Sequence, residues 1–274
     1  MVLPERLQPL TMGDSSNSSM DTGIIIALPT EWGYFRKAFH VHHEHHLGGR
    51  RHYKGRFGRL PIAVVLGGVG KQNAMEAAHR LCETDQPAAL ITMGYAGALS
   101  PELERGDIIL SSYAITEGQA NPQPTDLALA EQLKGVADES HEHHVYVSPI
   151  YTADKIVARH EEKRQIFKDT HAQIVDMESY PVYMEARKRE IPFIGIHAIT
   201  DTAEEDIPAL EIINPFLTSD SLWRYPKIFW DIATNPRFIW DLAMLNHDAM
   251  VAGRNLTHFL KCNSANLGSL LSHL

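Results

Sequence analysis

Residues 175–203 constrain what this chain can fold into more than any other stretch. The pattern predicts a short apolar strand over Gln173–Met177, a helix over Ser179–Glu190 and, after Ile191-Pro192, a second apolar strand over Phe193–Thr200. Two carboxylates stand at the junctions. Glu178 lies where the first strand turns into the helix, and Asp201 lies just past the second strand. A strand–helix–strand unit belongs in an open α/β sheet, whose ligands bind beyond the carboxyl ends of the strands. One acid in such a place reads as an ordinary solvated loop residue, but two at matching ends of one unit point to a site.

The rest of the chain alternates in the same way. The continuous apolar run Gly23–Leu28 reads as a buried strand, turned by Pro29-Thr30-Glu31 into a helical stretch, Trp32–Phe39. A strand pair, Arg51–Phe57 and Leu60–Leu66, turns at Gly58-Arg59. Gly67-Gly-Val-Gly70 opens a helix over Gln72–Glu83, Ala88–Met93 is a strand running into Gly94-Tyr-Ala-Gly97, and Asp107–Ser111 starts another. A long polar loop to about Asp126 leads to a helix ending near Ala137, and Lys155–Phe167 follows the stretch Ser148–Asp154. Alternation of this kind means an α/β fold: a single-domain, three-layer arrangement with a mixed, mainly parallel central sheet flanked by helices. Residues 1–21 read as a loose tail, 22–215 as the main α/β domain and 216–262 as amphipathic helices packed on it (Tyr225–Ala233 and Arg237–Leu260). Residues 263–274 read as a frayed end.

Composition removes several function classes. A net charge of −9 with no basic block argues against a nucleic-acid groove. No stretch approaches the ~20 apolar residues of a membrane span, and the start of the chain lacks the apolar run of a signal peptide. Two cysteines, Cys82 and Cys262, support neither a disulfide framework nor a cysteine zinc site, so a reducing cytoplasm is the expected compartment. The 16 histidines crowd at His40, His42, His43, His45 and His46 and again at His141, His143 and His144. With no carboxylate–histidine pattern at zincin spacing, they read as solvated loops rather than metal ligands.

Four separated segments, in order, resemble the nucleoside phosphorylase/nucleosidase superfamily, and most closely its methylthioadenosine/S-adenosylhomocysteine nucleosidases. They are Gly23–Glu31, Gly94-Tyr-Ala-Gly97 with the later Gly106-Asp107-Ile-Ile, Met177-Glu178, and Thr200-Asp201. The resemblance implies that Asp201 protonates the purine leaving group and that Glu31 orients the attacking water. It implies that Glu178 and Met177 grip the ribose, and that Tyr95, Ala96 and Gly97 line the base and sugar pocket, with Tyr151 the nearest aromatic candidate for the base. Two departures stand out: Tyr95 replaces a small serine, and the usual Gly-Asp-x-Phe form is absent near Tyr151. Phosphorylases of the superfamily carry an arginine in the first loop; here the loop Leu28-Pro-Thr-Glu31 has none, the next being Arg36, and an acid at Glu31 would repel phosphate.

The chemistry fits these residue types. Cleaving an N-glycosidic bond calls for a proton on the departing base, a grip on an oxocarbenium-like sugar and a delivered nucleophile. Carboxylates in apolar surroundings can serve as acid, clamp and base. The expected activity is hydrolysis of a 5′-substituted adenosine, releasing adenine, with no metal or organic cofactor. The expected partners are the nucleoside itself and a second copy in a homodimer, with no nucleic acid. Phosphorolysis, cleavage of a lipid-bearing adenosine of the hopanoid type, and a non-catalytic nucleoside sensor are the alternatives.

Overall fold

The run at the start of the domain sets the architecture. Strand β1 (Thr22–Ile26) is buried throughout, and its side chains alternate between two layers. Ile24 and Ile26 join one apolar cluster, Ile25 another. A strand packed on both faces has to be central, because a period of two sends successive side chains to opposite sides. A computed structural model places β1 accordingly, in parallel register between β4 (Leu60–Leu66) and β5 (Ala89–Ala98). It describes residues 21–118, 123–140, 144–210 and 236–272. The expected tail over 1–21 and the helix Tyr225–Ala233 lie outside the described residues, apart from Asp21.

Helices cover both faces. On the Ile25 side lie α2 (Lys71–Asp85), through Ala74, Ala77, Ala78 and Leu81, and α5 (Ser179–Lys188), through Val182, Tyr183 and Ala186. On the Ile24/Ile26 side lie α1 (Pro29–Phe35), α3 (Leu127–Ser140) and α6 (Pro236–Ser272). Helix α6 buries Ala252, Leu256, Phe259, Leu260, Asn263 and Leu267, an i, i+4, i+7, i+8 stripe. The stripe continues beyond residue 262, so this helix runs on to Ser272 where a frayed end was expected.

The sheet has ten strands and is mixed. Its far edge is a meander of β4, β3 (Arg50–Phe57) and β2 (His40–Leu47). Strand β2 corrects the expectation that His40–His46 form a solvated loop. As an edge strand its side chains meet solvent almost throughout, so no apolar alternation marks it, and charged or polar side chains suit an unpaired edge. At the other end β5, β10 (Phe193–Asp201), β6 (Ile108–Thr116), β8 (Val145–Thr152) and β9 (Ile174–Asp176) pair in a closed ring. Strand β10 is parallel to β5, whereas β9 is antiparallel to it. The two acids therefore meet through a common neighbour: Gly97 on β5 pairs with Val175 on one side and Asp201 on the other.

A short strand, β7 (Gln123–Pro124), pairs with β6, and α4 (His160–Thr170) links β8 to β9. No helix among the described residues is long and apolar enough to cross a membrane.

Candidate active site

The carboxyl end of β5 is where three other elements deliver their acids. Glu31 enters from α1, just past β1; Glu178 follows β9 and is the residue before α5; Asp201 ends β10 at a register shift between Ile199 and Asp201. An irregularity of this kind re-aims a strand-end side chain. All three acids line one cavity of about 410 Å³, together with Ala27, Leu28, Tyr95, Ala96, Gly97, Val175, Met177 and Thr200. Leu210 and α6, through Ala249, contribute further wall.

The two glycines of Gly94-Tyr-Ala-Gly97 make room for two of these acids. A Cβ on Gly94 would stand 2.7 Å from Glu31 Oε1, and one on Gly97 would stand 2.9 Å from Asp201 Oδ2. The segment is thus read backbone-first: it lets two side chains approach closer than any other residue would permit.

Glu31 is 3% exposed and its two oxygens are held separately. Oε2 accepts the Leu28 amide at 2.8 Å, the reach-back of a capping-box acid, and Oε1 accepts the Tyr95 amide at 3.0 Å. Burial outweighs these bonds and pushes its pKa up to about 7. Glu178 accepts the Gly70 amide at 2.7 Å and the Met177 amide at 3.3 Å. Burial first, then the neighbouring Asp176 charge, raises its pKa to about 8, so this carboxyl holds its proton near neutrality.

The first amides of α5 are capped by other groups. Ser179 N–H donates to Asp176 Oδ2 at 2.8 Å and Tyr180 N–H to Thr152 Oγ1 at 3.0 Å, while the Thr152 hydroxyl donates to Asp176 Oδ1 at 2.7 Å. These bonds leave Glu178 free to face the cavity.

Asp201 is 5% exposed. Its Oδ1 accepts the Thr200 hydroxyl at 2.8 Å, and its Oδ2 accepts Lys163 Nζ at 2.6 Å. Burial raises its pKa, and the Lys163 ammonium opposes that shift. Lys163 was not legible as a site residue. It sits on α4 among Glu161, Glu162 and Arg164, a charge run that reads as a solvated face, yet it is fully buried.

Of the residues expected at the site, Glu31, Tyr95, Ala96, Gly97, Met177, Glu178 and Asp201 all line the cavity. Tyr151 does not; it packs beside the cluster of Leu99, Ile115, Ala153, Val157 and Val175. Ile156 and Val157 line that region of the cavity instead. The bulk of Tyr95 is taken up between α1 and α6: its ring stands edge-on to Phe35, and a Cβ on Gly253 would lie 2.6 Å from its hydroxyl. Among the described residues no group of three or more His, Cys, Asp or Glu is arranged to hold a metal. His45 instead hydrogen-bonds the buried His52 at 2.8 Å, which contacts Asp85 at 2.8 Å.

A 5′-methylthioadenosine/S-adenosylhomocysteine nucleosidase of Listeria monocytogenes serotype 4b is 26% identical over 208 residues, covering 68% of this chain and 88% of its own. The enzyme of that name from Staphylococcus epidermidis is 25% identical over 217 residues, covering 73% and 95%. Among solved structures, a Helicobacter pylori nucleosidase mutant with 5′-methylthioadenosine in its active site matches with a TM-score of 0.70 at 18% identity, covering 93% of this chain and 99% of that one. Futalosine hydrolase of the same species also gives 0.70, at 19% identity and 90% and 98% coverage. The family model of the phosphorylase superfamily matches residues 21–217, and the chain belongs to that superfamily.

Proposed function

We propose that this protein hydrolyses the N-glycosidic bond of a 5′-substituted adenosine of the methylthioadenosine or S-adenosylhomocysteine type, releasing adenine. The observation that carries this reading is the convergence of Glu31, Glu178 and Asp201, from three separate elements, on one cavity. Asp201 gives its proton to the purine as the C–N bond breaks and the bonding electrons leave with the base. Glu31, its oxygens fixed by two amides, orients a water and takes a proton from it as oxygen adds to the anomeric carbon. A pKa of about 7 suits that task at neutral pH. Glu178 meets the sugar hydroxyls and Met177 packs against the sugar.

Water is favoured over phosphate by charge. Among the described residues the only cation lining the cavity is Lys155, whose Nζ lies 3.0 Å from Glu162, and an anion beside Glu31 would be repelled. The apolar wall of Leu28, Ile156, Val157, Leu210 and Ala249 gives an alkylthio substituent a surface to pack on. A cytoplasmic homodimer completes the reading. Met75 on α2 and Met184 on α5 stand 51% and 41% exposed, apolar surface that a second copy would cover.

The test is adenine release from methylthioadenosine, S-adenosylhomocysteine and adenosine, followed by the ultraviolet change on cleavage. Release from the thio-nucleosides ahead of adenosine is expected; no release from any of them rejects the reading.

A further inference from the structure

Among the described residues Lys163 is the only buried lysine, and its surroundings define its charge. Nζ has three oxygens around it: Asp201 Oδ2 at 2.6 Å, the Thr202 carbonyl at 2.7 Å and the Glu205 carbonyl at 3.3 Å. An ammonium has three N–H donors and no lone pair, so three acceptors match it. A neutral amine would turn a lone pair toward one of those oxygens. Among the described residues Asp201 is the only carboxylate that Nζ meets, so the buried ammonium is best paired once that acid has given up its proton.

This arrangement bears on the acid. Oδ2 is held as an acceptor by the ammonium, whereas the Thr200 hydroxyl on Oδ1 can turn its one proton to the Ala96 carbonyl at 3.4 Å, so the transferable proton sits on Oδ1. We propose that Lys163 is a positioning residue for the reaction: it pins Oδ2, assigns the acidic proton of Asp201 to Oδ1, and holds the carboxylate left behind once that proton has moved to the departing purine. This role rests on the hydrolysis proposed above. The proton count closes: Asp201 loses one to the base, water loses one to Glu31, and Lys163 keeps all of its own throughout.

The test is the pH dependence of kcat and KM on methylthioadenosine for the wild type, Lys163→Met and Lys163→Arg, with thermal melts as a fold check. Methionine keeps the bulk without the charge. Losing the ammonium removes a group that favours the ionised acid. The alkaline limb of the profile should therefore move up by about one pH unit or more, with kcat down by roughly ten- to a hundredfold and KM little changed. Arginine, which retains the charge, should return the limb toward its wild-type position. Lys163→Met with wild-type kcat, or with a loss of activity but an unmoved limb, overturns the proposal.

Should the variants fail to fold, 15N-lysine NMR on the wild type at pH 8 asks the same question. An ammonium signal protected from exchange and shifted in Asp201→Asn is expected, and a neutral-amine signal overturns the proposal. A wild type that releases no adenine rejects the hydrolase reading and this role with it. Normal release with an unmoved limb rejects only the role of Lys163.

Discussion

Replacing Gly97 by alanine tests how closely the acid is positioned. The new Cβ would stand 2.9 Å from Asp201 Oδ2, where ordinary contact begins near 3.4 Å, so one of the two has to give by about half an ångström. Neither is free to do so. Oδ2 is bonded to Lys163 at 2.6 Å, and Gly97 is paired on one side with β10 and on the other with β9. Val175 Cγ1, 3.4 Å from the same Cβ position, closes another direction. A misplacement of about 1 Å at a reacting centre costs on the order of a hundredfold, so Gly97→Ala should lose roughly ten- to a hundredfold in kcat, about 1.4–2.7 kcal/mol of barrier. The assay is single-turnover adenine release beside a thermal melt. Gly135→Ala is the control: its Cβ would meet nothing within 4 Å on α3, and it should leave kcat alone while stabilising the helix by about 0.4–1 kcal/mol. A folded Gly97→Ala with wild-type kcat would refute the argument that this glycine serves the acid.

Asp201→Asn should cut kcat by orders of magnitude with little change in substrate affinity, measured by turnover and by calorimetry, since its proton matters in the transition state. Because Glu31 has to be ionised to take a proton from water and titrates at about 7, kcat/KM should fall as pH drops through 7 toward 5; a flat profile there removes Glu31 as the base. The same burial sets a stability trend. With folded pKa values of about 7 and 8 against a usual 4.5, Glu31 and Glu178 contribute stability that is fully present below about pH 4.5. That stability is lost as pH rises through 7 and 8. Denaturant titrations at pH 6 and pH 9 should show the protein weaker at the higher pH, and Glu31→Gln should reduce that difference by about 1.4 kcal/mol.

Some of this was legible in the residues and some was not, for physical reasons. Strand β1 declared itself because a strand buried on both faces has to be apolar without interruption, and Glu31, Glu178 and Asp201 stood at strand ends where a period change is visible. The need for Gly94 and Gly97 was visible as a motif, while the cause, a carboxylate against each, exists only in three dimensions. Strand β2 was hidden because an exposed edge has no apolar face to show. The direction of β9 was hidden because a strand–helix–strand unit does not reveal that its first strand pairs antiparallel to β5. Lys163 was hidden because one buried charge in a charged helix leaves no periodic trace; its partner is 38 residues away.

The most direct test of the central claim is product identity by mass spectrometry after incubation with methylthioadenosine, in phosphate-free buffer and in buffer with added phosphate. The account predicts adenine and the free thiosugar, methylthioribose, at the same rate in both. Methylthioribose 1-phosphate, formed at a rate that rises with phosphate, would contradict it and would take from Glu31 the water assigned to it.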